Sequence, residues 1–173
     1  ISIANALSLG ATSEGEIVDF ELTQQMDAAT FQAKLVAQMP ENIPMYRTLE
    51  VDLKALAATR LLERAEYLIK VASATDASLE EWHNWIRAIK ASDALWMEQT
   101  TKSGQTQRVN LRDRLFELTI FQNPSQTDSS IVLRYIGSCR NDGTLLRPDH
   151  VIFMLEQVAR AEFHLLHTHR RQL

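Results

Sequence analysis

Residues 96–121 constrain the fold most, because they have the pattern of two β-strands joined by a polar turn. The turn falls on residues 102–105, Lys-Ser-Gly-Gln, where glycine permits a tight reversal of the chain. We predict strands near 95–101 and 106–121, with a bend or bulge near Arg112. A ribbon of this kind needs further strands or a helix to be stable, so the rest of the chain is predicted to support it.

Residues 1–65 combine strand and helix patterns. Apolar and acidic residues alternate over 16–22 and again over 47–53, which is typical of half-buried strands. Between them, Asp27 is placed to cap a helix that runs to about Met39. We therefore predict strand, helix and strand, followed by a short helical or irregular bridge over 54–65.

Residues 66–173 continue with a β-type run and a second helix signal. Ser78 and Glu81 have the spacing of a capping box. The run 131–136 is apolar on both faces except at Arg134, which predicts a central strand. The predicted elements are strands at 66–72 and 131–136, a helix at 78–91, and a helix that starts at Pro148 and extends through Leu166.

This order of elements predicts an α+β fold with two ferredoxin-like (split βαβ) halves that have antiparallel sheets. The first half, residues 1–60, is short by one strand and one helix, so we expect it to be truncated. The second half, residues 61–173, has no evident closing strand after its last helix.

Composition restricts the possible functions. The net charge is −4 and the pI about 5.7, which counts against a general nucleic-acid binder. The single cysteine, Cys139, cannot form an internal disulfide, and this favours a reducing, cytoplasmic location. We interpret Cys139 as a small residue at a strand end. No apolar run is long enough to predict a membrane helix, and we expect no membrane partner.

The ribbon carries candidate substrate-binding residues. Lys102, Arg108, Arg112 and Arg114 predict a phosphate-binding surface, provided that no bulge separates the arginines onto different faces. The alternative is a solvated strand face that discourages pairing with other strands. Trp96 is a candidate for stacking on a base.

Arg147 precedes Pro148 at a predicted helix start, where it could bind an anion. The alternative is a salt bridge to Asp149. We place Trp82 in the core and His83 and His150 at the surface.

Two further groups resemble metal or acid–base sites. The acids Glu14, Glu16, Asp19 and Glu21 are more simply a solvated acidic strand. His164, His167 and His169 suggest zinc, but no fourth ligand accompanies them. We favour a helix C-terminus stabilised by His169, Arg170 and Arg171.

Several separated motifs resemble one family. They are Leu9-Gly10 with Ser13-Glu14-Gly15-Glu16, Lys102-Ser103-Gly104, Val109-Asn110-Leu111-Arg112 and Arg147-Pro148-Asp149. These are similar to the radical-SAM-linked domain of unknown function, the DUF2344-type domain, in which an acid usually stands at the position of Asn110. That family normally begins with a Ser-His-Leu-Asp segment and a Gly-Phe-x-Pro-x-Pro turn. Both are absent, so we expect the N-terminal part of the domain to be missing.

The resemblance implies an accessory domain that occurs alone or C-terminal to a radical SAM domain. An iron–sulfur cluster and S-adenosylmethionine are implied only for that domain, in cis or in trans. The motif Cys-x-x-x-Cys-x-x-Cys is absent here, so we expect neither a cofactor nor catalytic residues in this chain. Our hypothesis is a non-catalytic domain that engages RNA or a ribonucleoprotein substrate. The alternative is a protein-interaction or homo-oligomerisation scaffold without nucleic-acid binding.

Overall fold

The computed structural model describes residues 1–100, 104–122 and 130–173, and it has an α+β fold. The elements in chain order are β1 (Ser2–Ile3), β2 (Thr12–Ser13), β3 (Val18–Asp19), α1 (Ala28–Val36), α2 (Ala58–Leu61), β4 (Arg64–Ser73), α3 (Leu79–Ala91), β5 (Trp96–Thr100), β6 (Thr106–Asn110), a 3-10 helix (Arg112–Arg114), β7 (Leu115–Gln122), β8 (Ile131–Ser138), α4 (Pro148–Ala159) and β9 (Phe163–Gln172).

The central sheet has the strand order β2-β9-β4-β8-β7, and β4, β7, β8 and β9 pair antiparallel within it. Apart from the inserted β5–β6 hairpin, β4 to β9 follow the order β-α-β-β-α-β, which is the order of a split βαβ motif. Alternate residues of β4 and β8 join α3 and α4 in the hydrophobic core, where Trp82 is fully buried. The predicted α+β class and the predicted central strand are confirmed.

The C-terminal segment is a strand, so the helix predicted through Leu166 is wrong. Helix α4 ends at Ala159, and Arg160 follows in the left-handed conformation (φ 53°) that terminates many helices. The chain then returns as β9 along β4. A closing strand is therefore present. The helix prediction failed because it used only the local sequence, whereas β9 forms by pairing with β4, which lies far away in the sequence.

The first sixty residues contain less strand than predicted. Of the run 16–22 only Val18–Asp19 is a strand, and residues 47–53 form none. Alternating apolar and acidic residues do not form a strand when no neighbouring strand pairs with their backbone N–H and C=O groups. Helix α1 is confirmed, and the Thr30 N–H donates to Asp27 Oδ1 at 2.9 Å. The division at residue 60 stays a prediction; β2 nevertheless pairs with β9 in parallel.

The predicted ribbon forms with an interruption. β5 and β6 pair antiparallel as a separate hairpin, and the predicted bend is the 3-10 helix before β7. The Asn110 side chain fixes this corner, because its Oδ1 accepts from the Leu95 N–H at 2.9 Å and the Arg112 N–H at 3.1 Å. Asn110 therefore has a structural role at this corner.

Arg170 attaches the N-terminal segment to the sheet. Its side chain is only 1% exposed, although it lies on β9 near the chain end. Nη2 donates to the Asn5 carbonyl at 2.7 Å and pairs with the Glu16 carboxylate, while Nη1 donates to the Tyr67 hydroxyl at 3.5 Å. A buried charge is tolerated only when it is paired and hydrogen-bonded, so these contacts depend on one another.

Ion pairs join strands across the other face of the sheet. Arg134 on β8 donates to Glu66 on β4 and to Glu117 on β7, both at 2.7 Å. Arg171 on β9 also pairs with Glu66, at 3.0 Å. The hydrogen bond from Arg134 is the main cause that lowers the pKa of the Glu66 carboxyl below its ordinary value of 4.5.

We predict that Glu16→Gln destabilises the fold, because Arg170 would remain buried without its counter-charge. Glu16 is partly exposed, so we expect a loss of about 2 kcal/mol, below the full cost of breaking a buried pair. Urea unfolding measures this change, and Glu21→Gln, an exposed carboxylate of the same segment, is the matched control. Equal stability of the two variants would contradict the role assigned to Arg170.

We predict an acid-sensitive contribution from Glu66. Because its folded pKa is lowered, the contribution is complete above the ordinary value of 4.5 and is lost as pH falls through the folded pKa. Glu66→Gln should therefore lose less stability than wild type between about pH 5 and pH 3. Urea midpoints at each pH test this, with exposed Glu50→Gln as the control. Parallel curves for wild type and Glu66→Gln would contradict it.

Candidate functional site

A pocket of about 410 Å³ lies where the N-terminal segment meets the loop after β8 and the start of α4. β5 and the 3-10 helix contribute one side chain each. The polar lining residues are Asn5, Thr59, Gln99, Arg114, Arg140, Asn141, Arg147 and His150. The lining includes three arginines, and no carboxylate of the described residues is part of it. The pocket therefore presents positive charge and hydrogen-bonding groups.

Arg114 supplies a buried cation to this pocket. The 3-10 turn directs its side chain inward, where it is 8% exposed and Nη1 donates to the Leu145 carbonyl at 3.2 Å. Burial lowers the pKa of the guanidinium below its usual value, and attraction to Asp142 only partly offsets this. Within the described ranges, no carboxylate forms an ion pair with Arg114.

Two exposed arginines, Arg140 and Arg147, also line the pocket. Arg147 pairs with Asp149 at 2.9 Å, which is the salt bridge considered as the alternative to an anion site. Arg140 pairs with Glu63 at 3.3 Å. Arg147 Nε also donates to Asp149 Oδ1 at 3.1 Å, so this pair has two contacts and an anion in the pocket must compete with Asp149 for Arg147. The exposed Arg140–Glu63 pair has one contact and is weaker.

His150 is buried, so its predicted surface position is wrong. It occupies the third position of α4 and is 2% exposed. The Arg147 N–H donates to Nδ1 at 3.3 Å, which places the imidazole proton on Nε2. Burial lowers the pKa to about 4, and the ring is therefore neutral at pH 7. The sequence contained a signal for this position: His150 lies three residues after the N-cap Arg147, where a side chain can accept a hydrogen bond from the N-cap backbone.

Three buried polar atoms of the pocket residues have no hydrogen-bond partner among the residues that the structure describes. They are Asn5 Nδ2, Gln99 Oε1 and His150 Nε2. Each such group costs about 1–3 kcal/mol when it is left unpaired in the folded protein. They come from three separate parts of the chain, and they indicate a site that a polar molecule can satisfy.

The second candidate surface is the outer face of the β5–β6 hairpin. Trp96 is 43% exposed, and the guanidinium carbon of Arg108 lies 4.9 Å from the centre of its ring. Arg108 is itself exposed and lies opposite Glu98 in the strand register. The Trp96 carbonyl accepts from Gln157 Nε2 at 2.9 Å, which joins the hairpin to α4. Of the predicted ribbon residues, Lys102 lies outside the described residues.

Arg112 does not share this outer face. Its guanidinium donates to the carbonyls of Leu115 at 2.9 Å and Lys90 at 3.2 Å. Because the 3-10 turn separates β6 from β7, Arg108, Arg112 and Arg114 point to different surroundings. The condition set for a single phosphate-binding surface, that no bulge separates the arginines, is therefore not met, while any binding role of each residue stays a prediction.

The family described as "Uncharacterized protein conserved in bacteria (DUF2344)" has a model that matches residues 1–148. The chain belongs to this family. No curated protein matches the sequence.

Among solved structures, the DUF2344 chain is similar to one chain of "Crystal Structure of a Cbf5-Nop10-Gar1 Complex". The two have a TM-score of 0.41 and 11% sequence identity. The similarity covers 62% of this chain and 29% of that chain, so less than a third of the other chain is matched.

The acidic residues near the N-terminus of this DUF2344 chain are mostly structural partners. Glu16 pairs with Arg170, and Glu14 pairs with Arg171 at 3.3 Å. Asp19 accepts from the Ala58 N–H at 2.7 Å. Glu14, Glu16 and Glu21 are exposed, as the prediction of solvated acids requires, but of the four acids only Asp19 lies in a strand, so the predicted strand is wrong for the other three.

The C-terminal histidines lie on β9, so the predicted stabilisation of a helix end is wrong. The Thr12 hydroxyl contacts His169 Nδ1 at 2.8 Å and His167 Nε2 at 3.0 Å. Over the described ranges, no group of three or more potential metal ligands is found. The same part of the chain contains no helix long and apolar enough to cross a membrane. Cys139 is buried directly after β8, as predicted for a small residue at a strand end.

Proposed function

We propose that this chain is a non-catalytic, cytoplasmic domain that binds RNA or a ribonucleoprotein substrate for a radical SAM domain. The motif resemblance supports the radical SAM part of the proposal. That domain, in cis or in trans, would hold the iron–sulfur cluster and S-adenosylmethionine. The outer face of the β5–β6 hairpin supports the binding part.

The observation that carries the proposal is the exposed pair of Trp96 and Arg108. The indole offers a flat surface on which any base can stack, and the guanidinium can pair with a phosphate. The two side chains already contact each other in the structure, so they lose less side-chain entropy when single-stranded RNA binds. The hydrogen bond from Gln157 to the Trp96 carbonyl holds this platform against α4.

The charge of the chain sets the expected strength of binding. With a net charge of −4, long-range attraction to a polyanion is weak, and the few basic residues near the hairpin must account for it. We therefore expect contacts to few phosphates and a modest dependence of affinity on salt. Stacking on Trp96 should contribute a part of the affinity that salt does not weaken.

We predict that Trp96→Ala weakens binding of single-stranded RNA by about tenfold, from the loss of about 1–3 kcal/mol of stacking. Arg108→Gln should reduce the salt dependence of binding by about one phosphate contact. Fluorescence anisotropy over a salt series measures both effects. Arg87→Gln, which removes an exposed arginine on α3, is the matched control. Unchanged affinity and unchanged salt dependence in the two hairpin variants would contradict the proposal.

The alternative, a scaffold for protein partners or for a second copy, is favoured by exposed apolar side chains in the first sixty residues. Leu53 is 95% exposed, and Leu9, Tyr46, Leu49 and Val51 are also exposed. Patches of this kind often mark protein interfaces. Residues 47–53, which were predicted to form a strand and form none, thus leave their apolar side chains exposed to solvent.

If the scaffold function holds, we predict that the chain self-associates and that a Leu49→Lys, Leu53→Lys double variant does not. Both side chains are exposed, so the substitutions should change folding stability by no more than about 0.5 kcal/mol. Light scattering over a concentration series measures the mass, for which a monomer is 19.7 kDa. A wild-type monomer at every concentration would count against self-association.

A further inference from the structure

We infer that the pocket between the N-terminal segment and α4 binds a phosphate monoester, with Arg114 and Arg147 facing the phosphate and His150 and Asn5 donating to its oxygens. This site is separate from the outer face of the β5–β6 hairpin, so it stands whether or not the hairpin binds RNA. The pocket and its unpaired polar atoms carry the inference.

The charge of the lining selects an anion. Arg114, Arg140 and Arg147 line the pocket, and no carboxylate of the described residues does. Arg114 is the decisive member, because it is buried and its neighbour at 3.2 Å is a neutral carbonyl. Guanidinium groups match phosphate oxygens with two parallel hydrogen bonds, which explains why arginine serves such sites.

His150 adds a neutral, directed donor. Its Nδ1 accepts from the Arg147 N–H, so the proton on Nε2 is available to a ligand, and Nε2 is buried without a partner in the described structure. Asn5 Nδ2 is a second buried donor without a partner there. An oxyanion offers several lone pairs and can accept from both groups at once.

The start of α4 reinforces this selection. The helix runs for twelve residues and places Arg147 and His150 in its first turn, beside the pocket. The positive end of the helix dipole favours a bound anion. His150 Nε2, which is buried and has no partner among the described residues, is the independent observation that points to a ligand at this helix start.

The volume and the remaining polar atom favour an ester over free phosphate. The pocket, at about 410 Å³, falls within the range of roughly 300–1,000 Å³ that is usual for small organic ligands. Gln99 Oε1 needs a donor, and the hydroxyl or amino groups of a nucleoside provide donors that a phosphate dianion lacks. A nucleoside monophosphate has both parts and serves as the probe.

Calorimetric titration of the whole chain with inorganic phosphate, AMP and adenosine tests the inference. We expect AMP to bind more tightly than either phosphate or adenosine. Arg147→Gln and Asn5→Ala should each weaken AMP binding by about tenfold, from the loss of a hydrogen bond to a charged group. Asn5→Ala keeps the Asn5 carbonyl that Arg170 contacts, so the fold is retained. Arg87→Gln removes an exposed arginine on α3, outside both the pocket and the hairpin, and should leave AMP binding unchanged.

A second readout follows His150 directly. The Nε2 resonance of labelled histidine should shift when AMP is added to wild type and should shift less in Asn5→Ala at the same concentration. Equal affinity for phosphate and AMP would overturn the assignment of an ester, because the nucleoside would then add nothing to binding. Equal affinity for adenosine and AMP, or unchanged AMP affinity in Arg147→Gln, would overturn the inference. So would the absence of binding by both phosphate and AMP at millimolar concentration. Loss of RNA binding in Trp96→Ala with intact AMP binding would separate this site from the hairpin.

Discussion

The buried Arg170 guanidinium is the interaction on which the assembly of the two parts of the chain depends. Few of the first sixty residues contribute to the hydrophobic core, so apolar packing does little to hold them. Arg170 instead contacts the Glu16 carboxylate and the Asn5 carbonyl from one part and the Tyr67 hydroxyl from the other. Because an unpaired buried charge is costly, the N-terminal segment and β9 stabilise each other.

The same interaction connects the fold to the pocket. Residues 3–6 form one wall of the pocket, and Asn5 uses its backbone carbonyl for Arg170 while its side-chain amide stays unpaired. The opposite wall comes from the loop after β8 and the first turn of α4, which belong to the split βαβ motif. The pocket therefore exists only where the two parts meet, and changes at Glu16 should affect ligand binding as well as stability.

Local signals made some elements predictable from the sequence. The cap at Asp27, the capping box of Ser78 and Glu81, and Pro148 at the first position of α4 all depend on neighbours within a few residues. The wrong predictions concern segments whose structure depends on distant partners. Strand β9 forms by pairing with the edge of β4, and residues 47–53 form no strand because no strand is present to pair with them. The polar pocket was missed for the same reason, because its unpaired atoms come from positions 5, 99 and 150.

Basic residues in this chain serve different purposes, and solvent exposure separates them. Arg112 and Arg114 lie close to Arg108 in the sequence, and Arg170 lies beside Arg171. All the same, Arg112, Arg114 and Arg170 each donate a hydrogen bond to a protein carbonyl. Arg170 also has an acidic partner, whereas Arg114 faces a pocket without a lining carboxylate in the described structure. A buried cation in such surroundings is stabilised by a bound anion, because the anion supplies the counter-charge that the lining lacks. The proposed phosphate site therefore rests on the distribution of charge within the fold, which the net charge of the chain does not reveal.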